Sequence, residues 1–246
     1  MRYLIKFSYD GTDFYGYQKQ EGLRTVEEEL EKALYNINNH QDTRVFSSGR
    51  TDKGVHALCQ CAHFDLEINI TLYKLKCALN SLLPDDIHVF STQIVDNDFH
   101  ARFNVKEKTY IYKLNVGEYL PVDRNYIYQY NKELDINRMN IAIKSFIGEH
   151  DFKPFVSDQV IKDNYVRTIK KVKIIKKNNL ILFSFTGNGF MKYQVRNMVG
   201  TLIKIGSNKL DIDIIDKIFN TYELRKKIWT AKPEGLYLKN VIYKQK

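Results

Sequence analysis

The densest set of reactive side chains lies in Ser47-Ser48-Gly49-Arg50-Thr51-Asp52-Lys53-Gly54-Val55-His56-Ala57. Arg50, Asp52, Lys53 and His56 place a guanidinium, a carboxylate, an ammonium and an imidazole on one short stretch. Gly49 and Gly54 bracket it, which lets the backbone turn tightly or approach a ligand. Such a concentration of functional groups on a scaffolded loop is where catalysis tends to reside. Arg50 is two residues from Asp52, so in an extended segment both point the same way, and a guanidinium there favours the ionised carboxylate. The same composition also fits a solvated turn in which Asp52 bonds its own backbone, or an ordinary Arg–Asp ion pair. Two phosphate-loop chemistries are excluded, because the chain has neither G-x-x-x-x-G-K-[ST] nor G-x-G-x-x-G after a strand. A lone His56 is no zinc site.

Several elements must hold this segment. Residues 2–9 alternate, with Tyr3, Ile5, Phe7 and Tyr9 on one face, and read as a strand that ends in the turn Asp10-Gly11-Thr12-Asp13. Thr25 and Glu28 form a capping box ahead of a helical stripe of Val26, Leu30, Ala33, Leu34 and Ile37. The reactive segment joins a short strand near 44–46 to a strand over 57–66. A helix over 71–83, with Leu72, Leu75, Leu79 and Leu82 on one side, leads to a strand over 87–95. In the second half, 108–116 reads as a strand carrying Tyr110, Tyr112, Leu114 and Val116, and 136–147 as a helix. Strands over 166–176 and 180–186 are joined by the polar turn Lys176-Lys177-Asn178-Asn179. Phe190–Ile205 reads as a buried helix, 212–220 as another, and Leu236–Tyr243 as a final strand. This mixture predicts an α/β (α+β) fold with helices on the faces of a sheet. The expected domains are 1–102 and 103–246.

The 246 residues carry a formal net charge of +9, a balance that suits contact with a polyanion. Lys162, Arg167, Lys170, Lys171, Lys173, Lys176 and Lys177 form a basic stretch that suits phosphate contact, or simply a solvated face. No RRM, KH or zinc-knuckle signature occurs. No apolar run is long enough for a transmembrane helix, and the N-terminus lacks the apolar block of a signal peptide, so a cytoplasmic protein is expected. Cys59, Cys61 and Cys77 lack the second ligand cluster a metal would need, and read as small buried hydrophobes in a reducing compartment.

The segment GRTDKGVHA resembles the signature of the tRNA pseudouridine synthase A family, close to GRTDAGVHA. Four further segments resemble that family in the same order: YDGTDFYGYQKQ, DFHARFNVKEKTYIY, GFMKYQVRNMVGTLIKIG and AKPEGLYLKNVIY. Together they cover nearly the whole chain. Tyr17 stands where the family usually has Trp, Tyr193-Gln194 where it commonly has His-Met, and Lys53 where it has a small residue. None of these removes a group the family's reaction requires.

The resemblance implies two similar subdomains forming a mixed, mainly antiparallel sheet with a central RNA-binding cleft. It implies isomerisation of uridine to pseudouridine in the anticodon stem-loop of tRNA, by a homodimer, with no cofactor and no metal. Asp52 takes the role of nucleophile. Arg50 is implied to fill the gap left by a flipped base, and Tyr110 to stack on that base and help move its proton. Arg196, a charge within a mostly apolar helix, is implied to face the cleft, and Arg102 to contact RNA. Three other readings remain open on the sequence: the same reaction on another structured RNA such as ribosomal RNA, a non-catalytic RNA-binding protein, and a nucleoside hydrolase, which would need a second carboxylate near the first.

Overall fold

The computed structural model describes residues 1–157, 161 and 163–244. Lys162 of the basic stretch lies outside them. The chain forms two compact units, one of residues 1–106 with 238–246, the other of residues 107–237.

In the first unit the strand order is β4-β1-β3-β10, from β1 (Arg2–Tyr9), β3 (His56–Asp65), β4 (Ile87–Ile94) and the end of β10 (Leu236–Tyr243). The short β2 (Phe46–Ser47) pairs with β3. β1 runs antiparallel to both β3 and β4. It buries Tyr3, Ile5, Phe7 and Tyr9 as the alternation predicts, and Leu4 on the opposite face as well, because a central strand is covered on both sides. The β1–β3 register shifts between Phe7 and Tyr9. That bulge re-aims β3 beside the loop that precedes it, a frequent arrangement next to functional sites.

α1 (Val26–Ile37) follows the expected stripe, burying Val26, Leu30, Ala33 and Leu34. Its cap differs from expectation. Thr25 occupies the N-cap position, but its side chain caps nothing, and its Oγ1 is buried without a hydrogen-bond partner. The first-turn donors are met by backbone instead: Val26 N donates to Gly16 O (3.4 Å) and Glu27 N to Tyr17 O (2.9 Å). α2 (Leu72–Leu82) is capped by Thr71, whose side chain accepts from Lys74 N. It buries Leu75 and Leu79. Leu82, placed with them on the sequence, is exposed, and Leu83 just beyond the helix is buried in its stead. Asn80 ties α2 to β4, donating to Val89 O and accepting from Val89 N, each at 2.8 Å. Of the cysteines only Cys61 is buried. Cys59 is half-buried and Cys77 exposed, which corrects the expectation for those two.

In the second unit the order is β5-β9-β8-β7, from β5 (Val105–Asn115), β7 (Gly148–Asp151), β8 (Val166–Lys177) and β9 (Leu180–Gly187). β9 is antiparallel to β5 and β8, and β8 to β7. β6 (Tyr128–Gln129) adds a short parallel pairing at the end of β5. α3 (Ile136–Ala142) gives way to a 3-10 turn over Ile143–Phe146. α4 (Gln194–Gly206) is buried over most of its length. It starts later than expected, since Tyr193 adopts a left-handed conformation (φ 66°) that no right-handed helix accommodates. α5 (Ile214–Asn220) completes the layer. Register divides the basic stretch: Val172 and Ile174 pair with Phe185 and Phe183 on the covered face, while Lys171 and Lys173 pair with Thr186 and Ser184 on the other. Lys170 forms an ion pair with Glu107 at 2.6 Å. Among the described residues no helix is long and apolar enough to cross a membrane.

Candidate active site

In the first unit the reactive loop is anchored on both sides of Asp52. Upstream, the fully buried Ser48 donates its N–H to Cys61 O at 2.7 Å and its hydroxyl to Gln60 Oε1 at 2.6 Å. The Gln60 amide in turn donates to Gly49 O at 2.8 Å. Gln60 is itself fully buried, and with Cys61 N also donating to its Oε1 (3.1 Å) its polar ends are satisfied, as burial demands. Thr51 is held at two atoms. Its Oγ1 lies 2.8 Å from the Tyr9 hydroxyl, and its carbonyl accepts from Tyr17 N at 3.1 Å. Burial pushes Tyr9 up to about 12, against the hydrogen bonds from Thr51 and Gln60, so its phenol remains protonated. Downstream, Val55 N donates to Asp52 O (3.2 Å), closing a tight turn, and Gly54 N donates to Phe14 O (3.4 Å).

The segment 10–17 is therefore the bed on which the loop lies. Gly11 and Gly16 make the close approach possible. A Cβ on Gly11 would sit 2.1 Å from Val55 O, and one on Gly16, whose φ is +95°, 2.9 Å from Thr51 O. A continuous path of backbone bonds runs from the first turn of α1 through Tyr17 to Thr51. It holds Asp52 half-buried on a rigid support.

The neighbours of Asp52 divide by exposure. Arg50 is exposed. His56 is buried and faces inward. Gly11 N donates to its Nδ1 at 3.0 Å, which assigns that nitrogen as an acceptor, so the Asp10 Oδ1 found 3.1 Å away is a close neighbour rather than a hydrogen-bond acceptor for it. Asp10 Oδ1 instead takes the Thr12 N–H and hydroxyl at 3.0 and 2.6 Å. His56 thus braces the loop. Lys53 is exposed and places its Nζ 3.7 Å from the centroid of the Tyr15 ring. Arg102 lies on an exposed turn near the other end of β3, its N–H donating to His100 Nδ1 at 3.1 Å.

In the second unit Tyr110 is buried on β5 and meets Phe190 edge-on at 5.1 Å between centroids. Arg196, on the first turns of α4, is half-buried. Its Nε donates to Ala231 O at 2.7 Å, and its guanidinium lies 4.8 Å from the centroid of the Tyr193 ring. The segment Phe190–Tyr193 thus touches both predicted residues. Glu234 supplies acidic potential to this region. Burial raises its pKa, opposed by its own backbone and by Lys232 and Arg196. Tyr112 is also fully buried, but its hydroxyl is used structurally, donating to Lys232 O at 2.7 Å.

The supports of the loop, Tyr9, Gly16, Ser48 and Gln60, are given no supporting role by the sequence, which shows Tyr9 only as part of a strand face and Ser48 only as part of the reactive segment. Gln60 alone left a signal there, a polar amide inside the apolar run of a strand. Among the described residues no group of three or more His, Cys, Asp and Glu side chains converges to hold a metal ion.

Comparison with known proteins gives one result. Residues 5–104 and 142–244 match the family described as tRNA pseudouridine synthase. The chain is 42% identical over 246 residues to tRNA pseudouridine synthase A of Streptococcus mutans, covering 99% of both chains. It is 42% identical over 248 residues to the protein of the same name from Streptococcus uberis, covering 100% of this chain and 99% of that one.

Proposed function

The chain belongs to the tRNA pseudouridine synthase family, and on that premise we propose that Asp52 is the nucleophile with which it isomerises uridine to pseudouridine in the anticodon arm of tRNA. The observation that carries this reading is the support of Asp52, a half-buried carboxylate on a loop fixed at Thr51, Gly54 and Val55. Positioning of that kind is what a covalent nucleophile needs.

The reaction breaks the bond from uracil N1 to ribose C1′ and forms one from C5 to C1′. A proton leaves C5, and N1 gains one, so atoms balance without a co-substrate. Whether the carboxylate adds first to the sugar or to the pyrimidine ring, the demand on the protein is the same: one ionised carboxylate and exclusion of water from a detached base. Neither demand calls for a metal or a cofactor. Tyr110 offers an aromatic face for the base and a hydroxyl for the C5 proton. Arg50, exposed beside the nucleophile, fits the vacancy that a flipped nucleotide leaves in its helix. Arg196, fixed by Ala231 O, and Arg102 are read as RNA-facing cations. The active form is read as a cytoplasmic homodimer, and size-exclusion chromatography with light scattering is expected to give the dimer mass.

The test is tritium release from tRNA transcripts labelled at uridine C5. Wild type should release tritium, and Asp52→Ala should be slower by on the order of 10³-fold or more. Undiminished release by Asp52→Ala would remove the nucleophile assignment. Release from ribosomal RNA fragments with none from tRNA would move the substrate elsewhere.

A further inference from the structure

The turn His100–Asn104 carries Phe103 on the surface with 73% of the residue exposed. The turn is rigidly held. His100 N donates to Asn104 Oδ1 at 2.6 Å, and Asn104 N donates to His100 O at 3.1 Å. Ala101 is fully buried. Its N–H donates to His63 Nδ1 at 3.1 Å, and its carbonyl accepts from the Tyr243 hydroxyl at 3.0 Å. Lys244 N closes the turn from β10, donating to Asn104 O at 3.1 Å. An exposed benzyl ring is thereby kept in one place, although exposing it gains nothing for the fold.

Phe103 also borders a cluster of rings. Phe46 and His63 stack at 5.0 Å with planes 18° apart. His63 meets His100 at 4.7 Å, and His100 meets Phe103 at 4.3 Å with planes 35° apart. Both imidazoles accept a backbone N–H at Nδ1. Burial first lowers both, aided by His100 and then Arg2 for His63, which falls to about 4, and by Arg2 and Arg102 for His100, so the cluster is uncharged at neutral pH. Cations stand at its rim. Arg102 adjoins Phe103 and is exposed, and Arg44, also exposed, lies 4.9 Å from the centroid of Phe46. A neutral aromatic face flanked by exposed guanidiniums is complementary to an unpaired base between phosphates.

We propose that Phe103 is a stacking platform for an unpaired base of the bound RNA other than the target uridine, with Arg102 and Arg44 on the adjoining phosphates. The platform lies at the far end of β3 from the loop of Asp52, roughly 20 Å along the strand, so it holds RNA that does not enter the reaction. The proposal rests on the RNA-modifying function above.

Two variants and two probes test it. Phe103→Leu keeps apolar volume and loses the aromatic face, whereas Phe103→Trp keeps the face and reports on it by fluorescence, with the emission of Trp229 measured in wild type as background. The probes are a tRNA transcript and single-stranded oligouridylate. Phe103→Leu should weaken tRNA binding about 5- to 100-fold. Phe103→Trp should bind like wild type and be quenched by both RNAs. Unchanged affinity in Phe103→Leu, with no quenching while wild type still releases tritium from tRNA, overturns the platform and leaves the function standing. Quenching by oligouridylate in a protein that modifies no tRNA supports the platform and counts against the substrate. If Phe103→Leu turns a dimer into a monomer without changing RNA affinity, the ring serves a contact between copies and the proposal falls.

Discussion

Gly16 shows how the proposed nucleophile depends on residues with no chemistry of their own. Its φ of +95° and the 2.9 Å separation of a built Cβ from Thr51 O leave a methyl group two poor choices, backbone strain or displacement of the loop. Displacement of a reacting group by about 1 Å costs on the order of 10²-fold in rate. Gly16→Ala is therefore expected to lower single-turnover tritium release by on the order of 10²-fold. Gly22 also has positive φ (+70°) but meets nothing within 4 Å, so Gly22→Ala should lose only about 1 kcal/mol of stability and keep its rate. Equal losses of rate in the two variants would refute the close-approach argument. Asp52 was legible on the sequence as a candidate nucleophile because GRTDKGVHA is a contiguous motif that resembles the family's signature. Tyr9 and Ser48 were not, since a tyrosine on an alternating strand and a serine before a turn look the same whether or not they hold anything.

At the scale of elements, two threonines at helix starts make the contrast. Thr71 caps α2 through its side chain, and Thr71→Val should cost about 1 kcal/mol in urea unfolding. Thr25 stands in the same position before α1, yet its hydroxyl is buried and without a partner. Replacing such a group by an isosteric methyl is neutral or stabilising, so Thr25→Val should unfold no earlier than wild type. The pattern Thr-x-x-Glu predicts a capping box in any isolated helix. Here the carbonyls of Gly16 and Tyr17 instead take the N–H groups of Val26 and Glu27, and only the fold brings them there. The start of α4 was obscured likewise. Phe190–Tyr193 is apolar and aromatic enough to extend the helical stripe, but Tyr193 turns left-handed and releases that segment to touch Tyr110 and Arg196.

At the scale of the molecule, stability should depend on pH through His63. Burial, with His100 and Arg2, lowers it from 6.5 to about 4. Between those values the unfolded chain binds a proton that the folded chain does not, so stability present above about pH 6.5 is lost as pH falls toward 4. The physical event is loss of the Nδ1 acceptor for Ala101 N. Urea unfolding of wild type should lose about 1.4 kcal/mol per pH unit from this group across that window, and His63→Gln should remove this part of the slope. Identical slopes would sink the assignment.

By itself the sequence determined the period of β1, the hairpin of β8 and β9, the last strand from Leu236 to Tyr243, and the family with its candidate nucleophile. These are local patterns, set by side-chain alternation, turn chemistry and contiguous motifs. Only the tertiary structure decided that residues 238–246 return to the first unit, that His56 braces the loop, that Gln60 anchors Gly49, and that His63, Ala101 and Tyr243 pin an exposed phenylalanine. Each of those joins residues far apart in the chain, and a hydrogen bond or close approach between distant segments has no periodicity for a sequence to display.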